Sequence, residues 1–236
     1  MLIRAYLPKI ITALFGGLFI AAGILTFGNA LIFDRLFLGI LLFTGFVCRK
    51  DINVIGIVVI ILMQHILEEF AWIYLSNSEL VKSFIYIACL FLAYRLRHDK
   101  IAKFVFVFII AVVGIELYWY VTEYVAPQIY WHMSLIGLNL LVRNLIFSRV
   151  SISEHYLKKS AKSINLDWTI FRLYGLSILI QVAIVTEYLI RHLANVDSLL
   201  VLYHSNAYLM HGIATLAIWA IFNESYKLLL PRLLKA

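Results

Sequence analysis

An all-α, polytopic membrane bundle of eight transmembrane helices is the fold that this chain predicts, on three observations. Of its 236 residues 64% are hydrophobic and only 14% charged, with a mean hydropathy of +0.94. A soluble domain is about 45–50% apolar and about 25% charged, and folded surfaces need more polar cover than this composition supplies. Second, the apolar residues fall into stretches near the roughly 20 residues that one helical crossing requires. Third, with the N-terminus in the cytoplasm, 17 of the 20 Lys and Arg gather at inner helix ends, leaving Arg35, Lys82 and Arg191 outside. Basic residues concentrate on the cytoplasmic side of membranes, and a missed span would scramble that alternation. Soluble enzymes, disordered tails and disulfide scaffolds are excluded, the last because Cys48 and Cys89 are the only cysteines and both lie in apolar runs.

The first span, 9–28, follows a basic start containing Arg4 and Lys9. Its apolar run exceeds the usual 7–15 residues of a signal-peptide core and more spans follow, so it reads as a retained helix. Ala13, Gly17 and Ala21 form a small-residue ridge on it, suited to close packing within the chain or in a homo-oligomer. Gly28-Asn29 marks the turn into 30–48, the shortest uninterrupted apolar span, where only 13 residues separate Arg35 from Arg49 and Asp34 and Arg35 must lie at the outer interface. The third span, 52–75, runs from Arg49-Lys50-Asp51 to Ser76-Asn77-Ser78. The next two, 80–97 and 101–126, flank Arg97-His98-Asp99-Lys100; Ala126-Pro127 then turns the chain into 129–147. A basic loop at 148–167 follows, in which His155 to Lys162 reads as a short solvated helix, with an amphipathic helix against anionic headgroups as the alternative. The last spans are 168–190 and 199–222, and both termini are cytoplasmic. The whole chain, 1–236, reads as one transmembrane domain of a plasma membrane or bacterial inner membrane. Its basic surplus addresses lipid rather than nucleic acid.

Val-Thr-Glu-Tyr occurs at 121–124 and again at 185–188, each expected at the outer end of an odd-numbered helix. The following spans carry His132 and His204 soon after entry, which is the pattern either of a repeated helical hairpin or of chance similarity with shared interface chemistry.

Acids and histidines inside the spans are the candidate functional residues. At 1.5 Å per residue they sort into a deep tier of Gln64, His65, Glu116, Asn139, Gln181 and His211, and an outer tier of Glu68, Glu69, Glu123, His132, Glu187 and His204. A charge at the centre of a span costs at least roughly 2.5–3.5 kcal/mol, so Glu116 must face protein or a wet cavity, or carry a proton. Glu116 and Glu123 are seven residues apart, as are His204 and His211, so each pair shares a helix face. His65 shares one with Glu68 and Glu69.

Three chemistries use such residues. A cation or proton path would run along Glu116, His65, His211, Glu68, Glu69, Glu123, Glu187, His132 and His204, making the chain a channel or transporter. A divalent metal held by His65, Glu69, Glu116 and His211 would make it an intramembrane enzyme with one carboxylate as general base. Alternatively the polar groups tie helices together in a non-catalytic subunit or sensor of a larger membrane complex. The transport reading leads. Aromatic residues at the outer ends, among them Trp119, Tyr120 and Tyr124, read as an interfacial belt, with a cage for an organic cation as the rival. No phosphate loop or dinucleotide fingerprint is present.

Overall fold

The computed structural model describes residues 2–74, 79–124, 129–194, 196 and 200–233. The expected turns at Ser76–Ser78 and Ala126-Pro127 lie outside them. Among the described residues every regular element is helical. The eight helices are α1 (Leu2–Leu25), α2 (Ala30–Val47), α3 (Ile52–Tyr74), α4 (Glu79–Arg95), α5 (Lys100–Val121), α6 (Tyr130–Leu157), α7 (Asn165–Ala194) and α8 (Val201–Leu233).

Local chemistry sets the described turns. Gly28, at φ 86°, supplies the left-handed residue after α1, and Asn29 caps α2 by accepting from the Ile32 amide at 3.2 Å. Asp99 caps α5 by accepting from the Ile101 amide at 3.1 Å. At α7, Asp167 reaches back to the Ile164 amide at 2.8 Å, half of a capping box.

Five helical segments are long and apolar enough to cross a membrane: Ile52–Tyr74, Lys100–Val121, Tyr130–Leu157, Asn165–Ala194 and Val201–Lys227. Their outward faces are apolar too. Ile73 is 67% exposed, Val121 79% and Phe147 75%. A soluble monomer rarely shows wide contiguous apolar surface, so these helices point to a multi-pass membrane protein.

The contacts divide the chain into two compact units, 1–62 with 146–173 and 207–236, and 63–145 with 174–206. In the first, Leu41, Ile57, Ile61, Leu166, Ile170 and Ile218 are fully buried. Here α1 meets α8 through Gly16 and Gly23: a Cβ on Gly23 would come within 2.7 Å of the Thr215 hydroxyl. The expected ridge of Ala13, Gly17 and Ala21 is exposed instead. In the second unit the core runs along stripes of α4, α5, α6 and α7. Buried positions follow steps of three and four: Ala102, Val105, Ile109, Val112 and Trp119 on α5, and Met133, Ile136 and Leu140 on α6.

Three expectations change. α6 continues to Leu157 through the first part of the expected basic loop. Residues 158–164 that follow form no helix, and Lys158 takes a left-handed φ of 50°. No separate surface helix forms at 155–162. α5 stops at Val121 rather than near 126, because Thr122 turns its hydroxyl onto the Tyr118 carbonyl and Glu123 is left-handed at φ 53°. The second Val-Thr-Glu-Tyr lies inside α7, which runs on to Ala194. The two copies share a threonine-to-carbonyl bond, Thr186 to Val182 at 2.8 Å in the second, but one ends a helix and the other does not.

Candidate functional site

Glu116 interrupts a core stripe. Continuing the α5 series Ala102, Val105, Ile109, Val112 by one step gives 116, and the next step gives the buried Trp119. The carboxylate therefore points toward the partner helices although every other member of its stripe is apolar. It is half-buried and accepts a hydrogen bond from the Tyr86 hydroxyl of α4 at 3.0 Å. Beside it opens a cavity of about 350 Å³, lined by Lys82, Ser83 and Tyr86 of α4, Val113, Glu116, Leu117, Trp119 and Tyr120 of α5, and Tyr124. That volume falls in the range of small-ligand pockets, roughly 300–1,000 Å³.

Aromatic rings brace one wall. Tyr124 hydroxyl and His192 Nδ1 of α7 share a hydrogen bond at 3.0 Å. The His192 ring lies 4.5 Å from that of Tyr188 and 6.2 Å from that of Trp119, between centroids. His192 occupies the next stripe position after Ile178, Val182, Val185 and Leu189 on α7. In chemical terms the cavity offers a carboxylate, an ammonium, hydroxyls and ring faces.

Most of the other expected site residues are engaged elsewhere. Glu187 is 5% exposed, and its two oxygens accept the Leu202 and Tyr203 amides at 2.7 and 3.0 Å. It caps α8 from a neighbouring helix, satisfying two of the four amides that a helix start leaves open. His132 Nδ1 donates to Gln181 Oε1 at 2.7 Å, and Asn139 donates to the Ser177 hydroxyl at 2.9 Å. The Tyr174 hydroxyl donates to Gln64. In the first unit His211 Nε2 donates to the Gly23 carbonyl at 2.6 Å, with the Phe33 ring 4.0 Å away between centroids. His65 and Glu68 are half-buried; Glu69, Glu123 and His204 are exposed. Both Glu187 oxygens are thus committed to α8, and Glu123 stands beyond the end of α5. Among the described residues, three or more His, Cys, Asp or Glu side chains do not gather to hold a metal. The four proposed ligands are thus not assembled.

Two buried arginines on α6 matter more to the fold than the sequence implied. Arg143, 2% exposed, pairs through Nε with Asp99 at 3.0 Å, and its Nη2 also meets that carboxylate. In the first unit Arg149, also 2% exposed, binds both oxygens of Asp167 at 2.7 Å, the Lys162 carbonyl at 2.7 Å and Asn53 at 3.4 Å. Each aspartate is itself at a helix start, where negative charge is favoured. Each arginine side chain passes over a glycine that leaves it room, the Arg143 guanidinium over Gly175 and the Arg149 methylenes over Gly56.

No protein-family model matches the chain, and no curated protein or solved structure matches it either. The geometry of the site is therefore what carries a functional reading.

Proposed function

We propose that the chain is an eight-span protein of a plasma membrane or bacterial inner membrane, with both termini cytoplasmic, that binds a cation at Glu116 and passes it across the bilayer. The observation that carries this reading is one carboxylate set in the buried stripe of an apolar helix, beside a cavity of about 350 Å³, with the Tyr86 hydroxyl as its hydrogen-bond donor. Half-buried on an apolar helix, that carboxylate is favoured by a positive partner, which a bound cation or Lys82 of the same lining supplies. The bonds of Glu187, His132 and His211 draw those residues out of the wider Glu/His path and leave Glu116 as its centre.

Full-length protein in liposomes should accumulate labelled methylammonium down a gradient, and Glu116→Gln should abolish this while the protein stays folded. Equal uptake by the two proteins would remove the reading. Orientation is tested separately. In cells, Glu123→Cys should react with an impermeant thiol reagent and Lys159→Cys should not; both positions are exposed and Cys48 and Cys89 are buried. The reverse pattern would invert the topology.

A further inference from the structure

We infer that the groove between α1 and α8 binds a membrane-soluble phenol or hydroquinone carrying an apolar tail, its hydroxyl donating to His211. This groove lies wholly in the first unit, holds about 510 Å³, and is lined by residues between Ile20 and Phe27 and between Tyr208 and Leu216. The Gly23 carbonyl belongs to the last turn of α1, where carbonyls lack helical partners, and it accepts from His211 Nε2 at 2.6 Å. A carbonyl can only accept, so Nε2 carries the proton and Nδ1 of the neutral ring keeps a lone pair. Among the described residues Gly23 is the only hydrogen-bond partner of that ring, and Nδ1 is not one of the enclosed, unpartnered polar atoms. Its lone pair therefore opens on the groove that the ring lines.

An acyl chain in this groove would leave that acceptor unpaired in an apolar setting, which is unfavourable; a hydroxyl satisfies it. Rings beside His211 select an aromatic hydroxyl. Phe27 and Tyr208 stack with centroids 4.3 Å apart, and Phe27 lies edge-on to the His211 ring at 5.5 Å. Such faces and edges favour a further ring. The remainder of the lining is apolar, because the Thr215 hydroxyl donates to the His211 carbonyl of its own helix at 2.8 Å. Phe27 meets Tyr208 and Gly23 meets Thr215, so α1 and α8 run antiparallel and Ile20 falls at the Leu216 end. The ring therefore sits at the Phe27 end and the tail runs toward Ile20 and Leu216. Tyr208 to Leu216 spans about 12 Å of helix, enough for a ring and the first carbons of a tail whose remainder lies in lipid.

The test titrates the full chain in nanodiscs with tritiated 4-octylphenol, 4-octylanisole and octylbenzene, subtracting empty nanodiscs and comparing affinities at equal mole fraction in the lipid. The phenol should saturate one site per chain and bind at least about fivefold more tightly than the anisole, whose oxygen accepts but cannot donate. His211→Phe should erase that preference. Gly212→Leu fills the groove from a position where a Cβ meets nothing within 4 Å; it should abolish saturable binding of all three without lowering Tm. Should His211→Phe fail to fold, the wild-type ratio and Gly212→Leu decide the matter. A smaller ratio, or phenol uptake that does not saturate, would mean that ordinary lipid fills the groove and would overturn the inference. So would a preference that survives His211→Phe, or saturable binding that survives Gly212→Leu. If the wild type is a dimer in detergent and Gly212→Leu a monomer, a second copy of the chain occupies the groove and the inference fails.

Discussion

Arg149 and Glu116 are both ionisable groups carried by apolar helices, yet the protein treats them in opposite ways. Arg149 is enclosed and meets two carboxylate oxygens, a carbonyl and an amide oxygen. Glu116 is half-buried, receives the Tyr86 hydroxyl and opens on a cavity. The contrast separates two uses of intramembrane charge. A charge whose hydrogen-bonding capacity is consumed by its own chain holds elements in place; a charge with capacity left over beside open volume is available to a ligand.

If that distinction is sound, the largest loss of stability should come from the Arg149 cluster. Asp167→Ala leaves a buried guanidinium without its counter-ion, a change that costs about 3–5 kcal/mol. Thermal unfolding in detergent should show a large fall in Tm, and replacing both partners together, Arg149→Met with Asp167→Leu, should recover much of it. A wild-type Tm for Asp167→Ala would mean that the pair is not what fixes α6 to α7. Next comes Gly175→Ala. Its Cβ would meet Arg143 Nη1 and approach Ile101 Cδ1 at 2.9 Å, and overpacking of this kind costs about 1–3 kcal/mol. Gly212→Ala, with nothing within 4 Å of the added atom, is the matched control and should not lower Tm.

Much of this was legible in the sequence and some of it was not, for identifiable reasons. Eight helices follow from length and hydropathy, and the described turns at Gly28-Asn29, Asp51 and Asp99 follow from turn and capping chemistry. The stop of α5 at Val121 was missed, because hydropathy continues through Tyr124 and Val125 while a threonine and a left-handed glutamate end the helix. α6 passes its expected end because Arg149 can be buried once Asp167 and Asn53 are brought to it by the fold, and no local pattern reveals those partners. Glu116 was visible by its type. That it continues the stripe of Val105, Ile109 and Val112 was also readable, and the same three-and-four spacing would have flagged Arg143 after Ile136 and Leu140, and His192 after Val185 and Leu189. The roles of Lys82 and Tyr86 were hidden, since nothing in one sequence pairs a residue of α4 with one of α5.

Glu187 tests the boundary between the two uses of charge. It resembles Glu116 in sequence setting but has both oxygens occupied by the start of α8. Glu187→Ala should therefore cost about 0.5–2 kcal/mol, as loss of a helix cap does. Faster hydrogen exchange should be confined to the amides of Leu202, Tyr203 and their neighbours. Amine binding at the Glu116 cavity should not change. A loss of binding without a loss of α8 protection would place Glu187 with Glu116 instead.

Glu116→Gln is expected to have the smallest effect on stability of the four. The amide keeps an oxygen to accept from Tyr86, so even the roughly 0.5–1.5 kcal/mol that one hydrogen bond contributes should be largely retained. Glu116→Leu loses that bond but places an apolar side chain at an apolar stripe position between Val112 and Trp119, so its Tm should equal or exceed that of the wild type. Both should bind amines at least tenfold more weakly. Stability and binding would then move independently at Glu116, in contrast to Asp167, where a stability loss comes first. A Tm for Glu116→Gln as low as that of Asp167→Ala would show that the carboxylate is built into the fold as firmly as the arginine pairs, and the distinction between holding charge and binding charge would collapse at the one residue for which it matters most.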